Sequence, residues 1–78
     1  MFRQFKAADE TEMTFKMVEE IDGCQRFKIS VEGKADRLMI LVGSDTEAHY
    51  NTLELLLAWG IYHFETLPCW HDSVERII

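Results

Sequence analysis

The stretch from Asp36 to Gly60, DRLMILVGSDTEAHYNTLELLLAWG, decides how the rest of the chain is read. It opens with Leu38-Met39-Ile40-Leu41-Val42, an unbroken apolar run with the length of a buried strand. Gly43 ends the run, and Ser44 with Glu47 spells the S-x-x-E capping box of a helix start. The helix is expected to continue to Trp59 and stop at Gly60, which takes a left-handed C-cap conformation without strain. Laid out at about 100° per residue, His49, Tyr50, Leu53, Leu56 and Leu57 share one face. Glu47, Asn51, Glu54 and Ala58 lie opposite. Leu55 and Trp59 flank the stripe and widen the apolar arc beyond what one sheet face buries.

Working back from the strand, Met13 to Val31 reads as a β-hairpin. Met13, Phe15 and Met17 alternate with Thr14, Lys16 and Val18, and Phe27, Ile29 and Val31 alternate with Arg26, Lys28 and Ser30. A loop at Ile21-Asp22-Gly23 with a bulged glycine sets Met13 against Val31, Phe15 against Ile29 and Met17 against Phe27. It also sets Lys16 against Lys28, which a register moved by two would avoid; the inward face is the same in both. A second tight turn at Gly33-Lys34 predicts Ile29 opposite Leu38, Phe27 opposite Ile40 and Gln25 opposite Val42. Leu38, Ile40 and Val42 then face inward, and Val18, Met39 and Leu41 lie on the outer face.

The flanking segments are short. Met1 to Ala8 suits an edge strand or a packed arm, and Ala8 to Glu12 an exposed acidic link. Ile61 to Leu67 is β-branched and aromatic enough for a fourth strand, ended by Pro68. The tail from Cys69 suits either a short helix, with Asp72 and Glu75 imitating a capping box, or a terminal strand. The expected architecture is one α+β domain over residues 1–78. A three-stranded antiparallel meander packs against one helix, followed by a fourth short strand and a short C-terminal tail.

Composition narrows the function classes. The chain has 78 residues, 47% of them hydrophobic, and a formal net charge of −6. From Leu38 onward six acids face a single base, Arg76, so that half offers no basic patch for a phosphate backbone. Direct nucleic-acid binding is therefore not expected, and an acidic surface suits a basic protein partner. Apolar runs stay at five residues, far short of a membrane span. Two cysteines make no disulfide framework, and no signal peptide pattern is visible, so a cytoplasmic protein is expected.

The residues with catalytic or ligating chemistry do not assemble into a motif. His63, Cys69 and His71 are spaced H-x₅-C-x-H, which lacks the close pairs of a structural zinc site. Cys69 and His71 also have the atom types of a thiol–imidazole pair, but no orienting acid stands apart from the adjacent Asp72. Gly43-Ser44 precedes a helix without either glycine-rich phosphate fingerprint, and Asp45 and Glu47 would repel a phosphate there. No cofactor and no enzymatic activity are expected. The preferred expectation is a small acidic interaction module, a regulator or inhibitor that binds a protein partner, nucleic-acid mimicry being one form of it. The alternative is a homo-oligomeric structural subunit, with a metal or thiol protein centred on His63, Cys69 and His71 behind both. The residues expected to meet the partner are Val18, Met39, Leu41, Leu55 and Trp59.

Overall fold

The computed structural model describes residues 2–72. Among them five strands form one antiparallel sheet in chain order: β1 (Phe2–Lys6), β2 (Glu12–Ile21), β3 (Cys24–Val31), β4 (Arg37–Val42) and β5 (His71–Asp72). Two helices, α1 (Thr46–Leu56) and α2 (Ile61–Thr66), lie between β4 and β5. The α+β class, the central β2–β3–β4 meander and the helix after it all stand as read from the sequence.

The core forms where the two periodicities meet. Met13, Phe15, Phe27, Ile29 and Met39 pack from the sheet with Tyr50 and Leu53 of α1, Leu57 at its C-cap and Phe64 of α2. Fully burying one such side chain is worth about 1.5–3 kcal/mol. Aromatic geometry adds specificity: Phe27 meets Tyr50 edge-on at 5.4 Å, and Phe5 stacks on Phe15 at 5.7 Å. The N-terminal segment resolves as an edge strand. From it Arg3 bonds Asn51, Glu54 and Glu47 along the polar side of α1 and lies over the Tyr50 ring.

The β2–β3 hairpin takes the first of the two registers, Lys16 against Lys28 included. Three apolar pairs on the core face outweigh one repulsive pair on the solvated face, where salt screens it. The extra residue sits elsewhere than expected, however. Asp22 and Gly23 both have positive φ, 54° and 77°, and join the paired Ile21 and Cys24 as a two-residue type I′ turn. The bulge falls at Val18, between the pairs Met17–Phe27 and Glu19–Arg26. Beyond it the facing of β2 reverses, so Glu20 turns inward to Gln25 while Ile21 turns outward beside Cys24.

On the other side of β3 the register differs from expectation by one residue. Ile29 pairs with Arg37, Phe27 with Met39, Gln25 with Leu41 and Cys24 with Val42. A one-residue slip exchanges the two faces of a strand. Met39, expected outside, is 4% exposed in the core, and Leu41 packs against it. Leu38, Ile40 and Val42 take the outer face. Gly33 is not the first central residue of a tight turn but the third residue of a Val31–Lys34 turn, with φ 82° and Lys34 N–H donating to the Val31 carbonyl. That lengthens the connection. Arg37 gains from the change: its guanidinium lies over Phe64 at 5.3 Å and donates to the Phe64 carbonyl at 3.0 Å.

The helical layer departs from expectation at both ends. Asp45, not Ser44, caps α1, its carboxylate accepting from the Ala48 amide at 3.1 Å. α1 ends before Trp59, and Gly60 does not terminate it but opens α2. Residues 61–67, read as a strand, are helical to Thr66. The reason lies fifty residues away. Gly60 has φ 81° and no side chain to cap with, and Asp9 from the β1–β2 link supplies the cap, its carboxylate accepting from the Ile61 amide at 3.0 Å. A Cβ on Gly60 would collide with that carboxylate. Ala8 N–H adds a bond to the Ala58 carbonyl at 2.9 Å. The acidic link is thus exposed, as expected, and is also a docking point.

The fourth pairing comes instead from the tail, where His71 and Asp72 pair with Leu38 and Arg37. Asp72 therefore lies in a strand and forms an ion pair with Arg37 at 3.3 Å, and the Glu75 half of the capping box lies outside the described residues.

Candidate interaction surface

The outer face of the sheet is where β3 and β4 present their even-numbered residues. Cross-strand pairing sets Ile21 beside Cys24, Cys24 beside Val42, Arg26 beside Ile40 and Lys28 beside Leu38. Val42 is 84% exposed and Ile40 51%, with Ile21 also exposed. Residues two apart on a strand stand about 7 Å apart on one face. Ile21, Cys24, Val42, Ile40 and Leu38 therefore form a continuous apolar strip down one side of an otherwise polar face. Basic groups border it: Arg26, held to Glu19 at 3.3 Å, and Lys28, near Asp36 at 3.9 Å.

The residues expected to meet a partner are dispersed. Val18 is exposed at the bulge. Met39 and Leu41 face the core, Met39 buried and Leu41 partly so, because the β4 register places them inside. Leu55 (78% exposed) and Trp59 (66%) are left uncovered by the described residues, but they belong to the helical layer, where Tyr62 is also exposed. Ile21, Ile40 and Val42 were missed. For Ile40 and Val42 the signal was present in the sequence only as a choice between two parities of one apolar run, and nothing within the run makes that choice; Ile21 faces outward because of the bulge at Val18.

Beneath the Val42 end of the strip lies a buried polar cluster. Gln25 is fully buried and His49 nearly so. The Gln25 amide nitrogen lies 2.8 Å from a Glu20 carboxylate oxygen, 2.9 Å from the Thr46 hydroxyl and 3.3 Å from the Ser44 carbonyl. Its oxygen lies 2.8 Å from His49 Nδ1, and His49 Nε2 lies 3.0 Å from the Val42 carbonyl. A buried glutamine amide with both ends engaged holds four segments in fixed relation: the end of β2, the start of β3, the end of β4 and the first turn of α1.

The other candidates stay apart. Cys69 and His71 are exposed, while His63 is half-buried with Nδ1 shielded and without a hydrogen-bond partner among the described residues. No group of three or more ligating side chains among the described residues is arranged to hold a metal. The α1 N-terminus is occupied by its own Asp45 cap. No helix among the described residues is long and apolar enough to cross a membrane. No family model matches the chain, and neither a curated protein nor a solved structure matches it significantly.

Proposed function

We propose that this chain is a small interaction module, a regulator or inhibitor that works by occupying a surface on a protein partner. The observation that carries the reading is the outer-face strip centred on Val42 and Ile40, apolar side chains held in solvent by a register that could have buried them. Exposed apolar strips with a charged border are where protein partners dock. The border here carries both signs, Arg26 paired with Glu19 and Lys28 near Asp36, so it suits a partner with a mixed polar rim around an apolar ridge. Nucleic-acid mimicry draws less support, since it needs an array of free carboxylates. On the helical layer Glu47 and Glu54 are engaged by Arg3, and Glu65 by Lys34. Two free cysteines, Cys24 and Cys69, are in keeping with a reducing cytoplasmic setting.

Self-association through the same strip is the second reading, favoured by the small core of so short a chain. Crosslinking in native extract and light scattering of the purified protein test both, using Val42→Glu and Leu55→Glu. The expected result is a discrete crosslinked complex that Val42→Glu abolishes and Leu55→Glu preserves. The reverse pattern would move the site to the helical layer and overturn the proposal. A clean monomer at high concentration would remove the homo-oligomer.

A further inference from the structure

β1 is an outermost strand of the sheet, and its far side pairs with no strand among the described residues. The ladder to β2 decides which backbone groups that side shows. Ala7 N–H donates to the Thr11 carbonyl at 2.9 Å, and bonded pairs alternate along an antiparallel ladder. Phe5 with Met13 and Arg3 with Phe15 are thus the bonded pairs. Phe2, Gln4 and Lys6 turn their N–H and C=O groups outward, where nothing among the described residues bonds them. An open row of this kind is a template for another strand. β1 carries neither a proline nor a bulge to close it. Its edge lysine, Lys6, is drawn to Glu10 at 3.5 Å and Glu12 at 3.9 Å.

The order of residues in β1, Phe2-Arg3-Gln4-Phe5-Lys6, selects the strand that fits. Set antiparallel to itself about Gln4, it opposes Phe2 to Lys6, Arg3 to Phe5 and Gln4 to Gln4. Every ring then meets a cation. Phe2, 61% exposed, gains the Lys6 stem on the outer face, and the half-buried Phe5 gains Arg3 on the inner face. Directly opposed side chains have Cβ atoms about 4.5–5.5 Å apart, within reach of such contacts. The bonding parity agrees, because the three outward-turned residues pair only with one another. Neighbouring registers do worse. An axis through Arg3 opposes two guanidinium groups, and an axis through Phe5 leaves Phe2 and Arg3 without partners. The cations themselves do not oppose the approach, since Arg3 is held on Glu47 and Glu54 and Lys6 on its own acids.

We propose that this chain associates with a second copy through β1, antiparallel about Gln4, so that the two five-stranded sheets become continuous. The pairing uses the sheet edge opposite the β4–β5 side and does not rest on the outer-face strip. A five-residue edge is small beside the roughly 1,200–2,000 Å² that stable interfaces bury. The dimer therefore forms with rising concentration and is not permanent.

The test is sedimentation of the purified full chain over a range of concentrations, with amide hydrogen exchange read on the same samples. Sedimentation should move from monomer to dimer, and the Gln4 and Lys6 amides should slow in step. The Arg3 and Phe5 amides, bonded to β2, should not change. Gln4→Pro removes an outward donor without touching the β2 ladder and should weaken the dimer about tenfold or more. Phe2→Lys opposes two ammonium groups and should weaken it more than Phe2→Glu, which meets Lys6 with a carboxylate. The formal net charge of −6 alone predicts the reverse order. Val42→Glu should leave the dimer unchanged. A monomer at every concentration would overturn the proposal, as would the reverse order of the two Phe2 variants. A dimer that Val42→Glu abolishes and Gln4→Pro spares would also overturn it and place self-association on the strip. So would a crosslinked complex in extract that Gln4→Pro abolishes while the purified chain stays monomeric, which would give this edge to a strand of another protein.

Discussion

β3 has two neighbours, and they show what a hydrophobic pattern specifies and what it leaves open. On the β2 side, Met13, Phe15 and Met17 alternate with Thr14 and Lys16, so only one parity keeps charge out of the core. The observed facing is the one the pattern requires, and of the two registers that share it the chain takes the one that sets Lys16 against Lys28. On the β4 side every residue from Leu38 to Val42 is apolar, and either parity buries three or two of them at similar gain. The choice then passes to features outside the run: the turn at Gly33 and the seat of Arg37 against Phe64. A strand that is apolar on both faces is well specified as a strand and poorly specified in register.

The sharpest way to break that comparison is to truncate neighbours of opposite facing on β4. Met39→Ala is expected to cost about 2–5 kcal/mol, the range for a buried methionine, and Ile40→Ala less than about 1 kcal/mol. Urea unfolding of the two variants measures it. A larger loss at Ile40 than at Met39 would mean that the sequence-expected register is the true one.

A second contrast lies between two glycines of similar φ, Gly33 at 82° and Gly60 at 81°. A side chain at Gly33 meets open space, so Gly33→Ala should cost only the left-handed penalty, about 1–2 kcal/mol. Gly60→Ala adds a collision with the Asp9 carboxylate and should lower the melting temperature clearly further. Equal losses would show that the Asp9 cap does not hold the start of α2.

The smallest effect concerns that cap and acid. The Ile61 amide, then the Thr11 hydroxyl and amide, hold the Asp9 carboxyl below its usual range. A carboxyl lowered on folding stabilises above its unfolded value, about 3.9, and loses that contribution as pH falls through the folded value. Stability at neutral pH should thus carry the full benefit, shrinking through the acid range. Asp9→Asn should flatten that acid limb. An unchanged profile would place the acid sensitivity elsewhere.

The candidate site was legible only in part, for the same reason as the fold. That the outer sheet face carries surplus apolar surface follows from the sequence, since five consecutive apolar residues cannot all point one way. Which residues form it does not follow. Met39 and Leu41 were expected there, and Ile40 and Val42 are found there, joined by Ile21 because the Val18 bulge reverses the end of β2. Leu55 was readable as lying beside the stripe because the periodicity of α1 is clear, whereas Trp59 lies beyond the end of the helix, and both are exposed.

The α+β class, the hairpin facing of β2 and β3 and the stripe of α1 could all be read from the residues alone. Those rest on local periodicity, which each segment carries within itself. The parity of β4, the bulge at Val18 and the helical state of residues 61–66 emerge from contacts between segments. The first and last depend on partners distant in the chain, Arg37 on Phe64 and Ile61 on Asp9, and the bulge on the pairing across the hairpin that sets Glu20 against Gln25. Leu38 to Val42 began as the plainest strand in the chain. Its two faces are equally apolar, so only the contacts made around it could say which one meets the solvent.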